Sequence, residues 1–379
     1  MKPYKPFSPV DISIVSRTEA LEIIERFISC SDRTLFMTSN GRVQGLGLEQ
    51  WLSGIKKRNN IRHYWRIPVN PTITDVYKAL LDLGDVKPDL IIAIGGGSCI
   101  DLAKAVSALY NLIPTECLSE DSVREAVKKK EYLNNSHFID IIAVPTTSGT
   151  GSEVTKWATI WDTDNLEKLS IDCTELFPKA AVIVPEFTVS QSDRLTLSTG
   201  LDALSHAMES FWSKGRTPLS QALSITAIKY IREYLPKVMK NPNDLEMRKM
   251  MCVAALLAGL SFSITRTTAC HSISYPLTMC FGLEHGFAAA ITLLPVAEVN
   301  ETAVPEISHI YSVFEGKGGF EAWLRDLTGP VQELRLSAFG ISLSDIDSIV
   351  QKAFTQGRMD NNPVMISPGD VKDILLKVL

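Results

Sequence analysis

The chain has 379 residues, 45% hydrophobic and 21% charged, with 22 glycines and 19 prolines. That suits two soluble domains and excludes disorder, collagen and coiled coil. Thirty-eight basic against 43 acidic residues give a formal charge of −5, which supplies no basic field for nucleic acid or anionic lipid.

Seven cysteines, odd in number and without a CxxC pair, predict free thiols and a cytoplasmic location. The N-terminal stretch lacks the apolar core of a signal peptide. The longest apolar run, 250–264, is too short to span a bilayer and predicts a buried helix, so no membrane partner is expected.

In chain order, 34–38 is predicted as a strand closed by the turn signal Ser39-Asn40-Gly41, and 43–56 as one helix. A strand over 61–67 and a helix over 74–83 follow. The apolar run 89–94, between Pro88 and Gly95, suits a strand buried on both faces, with helical spacing over 99–110. Residues 138–144 form another such run, stopped by Pro145. Strands alternating with helices predict a parallel α/β sheet covered on both sides. From about Ser190 the period is 3.6, over 198–213, 218–235, 244–264, 287–298, 342–356 and 368–379. This predicts an all-helical second domain, with the boundary near Pro185.

Gly95-Gly96-Gly97-Ser98 follows a buried strand and opens a helix, where close backbone approach and free amides favour an anion. It is neither GxGxxG nor a Walker loop, and a sharp turn without a ligand is the plain alternative. The loop 145–153 carries five hydroxyls and two glycines after the other buried strand. Two such loops at the carboxyl ends of neighbouring strands favour a nucleotide over a solvated connection.

Asp202 and His206 stand four apart on one helix face, and His271 and His285 follow fourteen residues apart. Three imidazoles and a carboxylate suit Fe²⁺ or Zn²⁺; the alternative is an ordinary helix-surface pair. His63, His137 and His309 have no partner at ligand spacing and are expected to be plain polar side chains.

Taken together, GGGSCID (95–101), PTTSGTGSEVT (145–155), GLDALSHAMES (200–210), His271 and GLEHGFAAAI (282–291) resemble, in order and spacing, the iron-dependent (group III) alcohol dehydrogenases. The resemblance implies an α/β N-terminal dinucleotide-binding domain, 1–185, and an all-helical C-terminal metal-binding domain, 186–379, on the dehydroquinate synthase-like plan. It puts the metal ligands on Asp202, His206, His271 and His285. Cofactor contacts fall on Gly96, Gly97, Ser98 and Asp101 beside the pyrophosphate, and on Thr146, Thr147 and Ser152. Asn70 and Lys168 match recurrent positions near the active site. Implied are NAD or NADP, Fe²⁺ or Zn²⁺, and a small-molecule aldehyde or alcohol substrate; a homodimer is admitted. The implied chemistry is hydride transfer between nicotinamide and a metal-polarised carbonyl.

Three departures carry information. Ser39 stands where many relatives have an acidic residue against the adenosine ribose, and Arg42 is nearby, so NADPH is admissible. Tyr275 replaces a further histidine four residues after His271, either relaying a proton or lining the pocket. Arg266, five residues before His271, either caps a helix or forks around an anionic group of the substrate.

Segments 266–278 and 156–162 resemble the phosphonoacetaldehyde reductase branch, which makes 2-hydroxyethylphosphonate in phosphonate biosynthesis. The competing readings are a general short-chain alcohol dehydrogenase, a lactaldehyde or succinic semialdehyde reductase, an NAD-using lyase on the related scaffold, and a nucleotide sensor without metal.

Overall fold

The computed structural model describes residues 8–58 and 60–379. The chain divides into two compact units. One runs to Thr147 and includes Ser152–Ser190; the other comprises Ser148–Gly151 and Gln191–Leu379.

The first unit contains β1 (Asp11–Ile14), α1 (Arg17–Ser29), β2 (Thr34–Met37), α2 (Asn40–Gly45), α3 (Glu49–Arg58) and β3 (Ile61–Tyr64). Next come α4 (Ile73–Leu83), β4 (Leu90–Gly95), α5 (Gly97–Leu109), α6 (Glu120–Lys128) and β5 (Asp140–Pro145). A hairpin of β6 (Trp157–Asp162) and β7 (Glu167–Asp172) precedes β8 (Ala180–Ile183). Among the described residues six strands form a parallel sheet, ordered β1-β8-β5-β4-β2-β3.

Side chains alternate across this sheet. Leu35, Met37, Ile91 and Ala93 pack with α4, α5 and α6, while Phe36, Ile92 and Ile94 pack with α1 and the α2–α3 segment. Burial on both faces is why these strands read as unbroken apolar runs. β2 and β4 are neighbours, yet the chain leaves β2 for one face and β4 for the other. Such divergence opens a crevice at the carboxyl ends, where open α/β sheets take a nucleotide. Ser39 follows β2 and Gly96 follows β4, so both flank it.

The second unit is helical: α7 (Asp193–Trp212), α8 (Pro218–Lys240), α9 (Leu245–Thr265), α10 (Ala269–Phe281) and α11 (His285–Ala290). Then follow α12 (Leu293–Asn300), α13 (Ile307–Val313), α14 (Lys317–Thr328), α15 (Ile346–Lys352) and α16 (Pro368–Lys377). Caps set the starts of the long helices. Ser192 accepts the Leu195 amide, Thr217 opens α8 with a capping box and Pro218 in the first turn, and Asp244 accepts two amides of α9.

Several expectations are corrected. The helix expected over 43–56 is two, because the chain turns at Gly47 with φ +61°. The helix expected over 287–298 is also two, α11 and α12, and Pro295 lacks the amide that would have tied α12 to α11. α10 was not anticipated, since Pro276 lies inside it. α9 is 21 residues long with a mean hydropathy of 1.4 over its best window, enough by composition to cross a membrane, so the length argument fails. Packing replaces it: 61% of that window is buried, and Met251, Ala254, Ala255 and Ala258 belong to the core shared with α7 and α8.

Candidate active site

α7 carries the first donors. Its residues from Thr196 to Trp212 are buried, so Asp202 and His206, one turn apart, sit inside the helical unit. α10 brings His271, and α11 begins at His285. Three imidazole Nε2 atoms converge on one oxygen: Asp202 Oδ1 is 3.8 Å from His206, 3.5 Å from His271 and 3.7 Å from His285. Two ligands of one tetrahedral ion at ~2.0–2.1 Å stand ~3.4 Å apart. The spacing is therefore that of a slightly open donor set. Asp202 Oδ1 and His271 Nε2 are buried and make no hydrogen bond, and buried polar atoms without partners call for a ligand. These residues fit a divalent metal.

Neighbours fix which imidazole nitrogen faces inward. His271 Nδ1 lies against Glu209 Oε2, and His206 Nδ1 is 3.4 Å from the Gly149 carbonyl oxygen. With each Nδ1–H donated outward, Nε2 is the nitrogen that offers its lone pair inward once the ring is neutral. Gly149 is required for this approach, since a Cβ there would stand 2.4 Å from the Thr199 carbonyl oxygen. Ring stacking completes the enclosure. Phe262 lies 4.1 Å from His206 at 10°, and Tyr275 lies 6.2 Å from His285 at 10°.

The electrostatics follow from this arrangement. Burial would raise Asp202, but the three imidazoles hold it below the ordinary carboxylate range. Burial pushes His206 down to about 4. Burial opposes the charged form of His271 too, yet Glu209 and Asp202 together outweigh it and hold that ring at about 9. Glu209 was not singled out from sequence. It is fully buried, and its Oε1 accepts from Thr268 N at 3.0 Å, Thr268 Oγ1 at 2.7 Å, Cys270 N at 2.8 Å and His271 N at 3.3 Å. A signal was present, for Glu209 stands seven residues after Asp202 on the same helical face.

In the first unit most of the expected cofactor positions gather at the ends of β4 and β5. Gly96 caps α5, and its carbonyl oxygen receives the Cys99 amide at 3.0 Å. Gly97 and Ser98 open that helix, so their amides lie at its electropositive end. Ser98 Oγ accepts the Asn70 amide at 3.1 Å, and Asn70 adopts φ 55°. Thr146 N donates to Gly95 O at 3.0 Å. The Thr146 and Thr147 hydroxyls are buried and make no hydrogen bond, which fits a ligand rich in acceptors.

Asp101 and Ser152, expected to meet the cofactor, engage each other. Ser152 Oγ donates to Asp101 Oδ1 at 2.6 Å, and Thr159 N donates to Oδ2 at 2.9 Å. Lys104 was also missed, although it is a lone cation in the apolar stretch of α5. Wholly buried, it donates to Ser152 O at 2.6 Å, Ser152 Oγ at 3.1 Å, Thr155 Oγ1 at 3.2 Å and Trp157 O at 3.1 Å. Burial pushes it down to about 8, against the pull of Asp101 and Glu153.

Lys168 stands on β7 opposite Trp161, and its charge acts on Asp101. Ser39 caps α2 by accepting the Arg42 amide at 3.2 Å, and Arg42 Nη1 donates to Ser190 Oγ at 3.1 Å. Outside the site, His63 Nε2 meets the Thr38 carbonyl at 3.0 Å, and His137 meets Ser136 at 2.7 Å.

Both units resemble known proteins. Residues 12–185 match the family described as iron-containing alcohol dehydrogenase, and residues 196–379 match its C-terminal part, the Fe-containing alcohol dehydrogenase family, C-terminal. A long-chain-alcohol dehydrogenase 1 of Geobacillus thermodenitrificans is 30% identical over 338 residues, 83% of this chain and 81% of that one. A phosphonoacetaldehyde reductase of Streptomyces viridochromogenes is 37% identical over 238 residues, 62% of this chain and 59% of that one. The crystal structure of sulfoacetaldehyde reductase from Bifidobacterium kashiwanohense with NAD⁺ superposes with a TM-score of 0.84 at 27% identity, covering 98% and 97% of the two chains. The parallel α/β unit and the helical unit are those of the dehydroquinate synthase-like fold, and the chain belongs to the iron-containing alcohol dehydrogenase family, enzymes that interconvert alcohols and aldehydes with NAD(H) and a metal.

Proposed function

We propose that the chain is a metal-dependent NAD(P)H reductase of a small anionic aldehyde, with phosphonoacetaldehyde, reduced to 2-hydroxyethylphosphonate, as the first candidate. The observation that carries the metal reading is the convergence of three Nε2 atoms on Asp202 Oδ1, with Asp202 Oδ1 and His271 Nε2 lacking hydrogen bonds. When bound, Fe²⁺ or Zn²⁺ supplies Lewis-acid polarisation of a carbonyl, and the nicotinamide supplies hydride.

In this reading Asp202 gives the donor set its one negative charge, and Glu209 and the Gly149 carbonyl keep His271 and His206 turned inward. Phe262, stacked on His206, keeps water from that side. Tyr275, buried and stacked on His285, hands a proton to the product oxygen. Gly96, Gly97 and Ser98 hold the pyrophosphate, with Asn70, Thr146, Thr147 and Lys168 around the dinucleotide. Asp101, Ser152 and Lys104 brace that loop. Ser39, a neutral cap with Arg42 beside it, admits a 2′-phosphate, so NADPH is accepted as well as NADH.

Arg266 takes the substrate's anionic end. The anionic substrate is supported by the relatives named for phosphonoacetaldehyde and sulfoacetaldehyde. A general alcohol dehydrogenase is the second reading, favoured by the longer match to the long-chain enzyme. We further propose a cytoplasmic, homodimeric enzyme.

The test is an aldehyde panel, with NADH and with NADPH, on protein loaded with Fe²⁺ or Zn²⁺, followed at 340 nm. Phosphonoacetaldehyde should exceed propanal in kcat/KM by at least tenfold. Equal values would favour the general alcohol dehydrogenase.

A further inference from the structure

Arg266 has a backbone that does not suit its residue type. At the end of α9 it adopts φ 62° and ψ 175°, a region essentially reserved for glycine because a Cβ crowds the neighbouring carbonyls. A cation that merely complements a helix terminus needs no such conformation.

The turn is held from several sides. Arg266 N donates to Phe262 O at 2.7 Å, and Thr265 Oγ1 donates to Arg266 O at 2.9 Å. Asn361 Nδ2 then bridges the residue, donating to Thr265 O at 2.8 Å and to Thr267 O at 3.0 Å. Asn361 is itself pinned. Its carbonyl accepts the Lys214 amide at 3.0 Å. Next to it, Asn362 is fully buried and exchanges amide hydrogen bonds with Asn300 at 2.7 and 3.0 Å.

The arginine head group meets the same segment. Arg266 Nη1 lies 3.1 Å from where a Cβ on Gly357 would stand, so the head group sits close over the Gly357 backbone. One turn before Arg266, Phe262 covers the metal ligand His206. The 357–361 segment therefore holds the backbone and touches the head group of a cation that stands one helical turn after the residue stacked on His206.

We propose that Asn361 is a positioning residue for substrate selectivity. By holding the carbonyls on either side of Arg266, it keeps an arginine in a glycine conformation and so fixes the guanidinium that reads the substrate's anionic end. This inference rests on the assignment of Arg266 as the anion reader.

The experiment compares kcat/KM for phosphonoacetaldehyde and for propanal in the metal-loaded enzyme and in Arg266→Ala, Asn361→Ala and the double variant. Arg266→Ala should lower the anionic-to-neutral ratio roughly ten- to a hundredfold. Asn361→Ala should lower it about three- to tenfold, chiefly through KM for the anionic aldehyde, and add nothing in the Arg266→Ala background. Should Asn361→Ala not fold, Asn361→Ser, which keeps one donor, carries the same comparison. Arg266→Gly should melt above Arg266→Ala, because glycine alone fits the backbone there.

An unchanged ratio in Arg266→Ala overturns the anion-reader assignment and this inference with it. A lowered ratio in Arg266→Ala, with no change or an equal loss on both substrates in Asn361→Ala, overturns the positioning role alone. Equal melting of Arg266→Gly and Arg266→Ala would contradict the strained backbone.

Discussion

Replacing Glu209 by Gln tests how the donor set is oriented. The carboxylate is fully buried, with four donors on Oε1 and the His271 ring on Oε2. Glutamine has the same shape but one acceptor oxygen. If that oxygen stays with the four donors, the new NH₂ faces Nδ1 and pairs only with the tautomer whose proton sits on Nε2, where the metal would bind. If the amide flips, its NH₂ meets Thr268 N, Cys270 N and His271 N, and buried donors confront one another. Loss of a group that orients a metal-bound histidine lowers metal affinity about 10- to 100-fold. Loss of charge-assisted hydrogen bonds in the interior lowers stability by ~1.5–3 kcal/mol. The assays are Zn²⁺ competition against a chromogenic chelator and urea unfolding of the metal-free chain. A Glu209→Gln protein that binds Zn²⁺ within twofold of the parent would refute the orienting role, whatever its stability.

Three further outcomes follow from the same contacts. Ser39→Asp keeps the α2 cap while setting a carboxylate at the β2 end, so the NADPH-to-NADH ratio in kcat/KM should fall at least tenfold; an unchanged ratio places Ser39 away from the ribose. Lys104 titrates at about 8 in the fold against ~10.4 unfolded, so its burial penalty is complete below pH 8, and stability relative to Lys104→Met should rise by up to ~1.4 kcal/mol per pH unit from there to ~10.4. Parallel urea-unfolding curves for the two proteins would discard that assignment. Gly149→Ala places a Cβ 2.4 Å from the Thr199 carbonyl oxygen, which should displace the Gly149 carbonyl from His206 and weaken Zn²⁺ about tenfold; undiminished affinity would show that this carbonyl does not orient the ring.

The sheet was legible because parallel strands covered on both faces have no polar alternation, and β2, β4 and β5 stand out as unbroken apolar runs. β6 and β7 escaped because the hairpin mixes charged and apolar residues, with a burial pattern that is only partly alternating. α10 escaped because Pro276 interrupts it, although it carries His271 and Tyr275.

Within the site, the four-residue spacing marks Asp202 and His206 as a pair on one helix face, and the fold brings His271 and His285 to the same oxygen. Glu209 and Lys104 were hidden for a physical reason. Composition and periodicity do not distinguish a buried, hydrogen-bonded charge from a solvated one. That Ser152 and Thr159 each donate to one Asp101 oxygen was not legible either, because sequence spacing does not reveal contacts between residues 51 and 58 positions apart.

The measurement that tests the account most directly is the metal content of the purified chain beside His206→Ala and His271→Ala, by elemental analysis. The account predicts about one Fe or Zn per parent chain and less than about a tenth of that in each variant, with NADH affinity retained. Near-normal metal in either variant would contradict the assignment of the donor set, and with it the proposed chemistry.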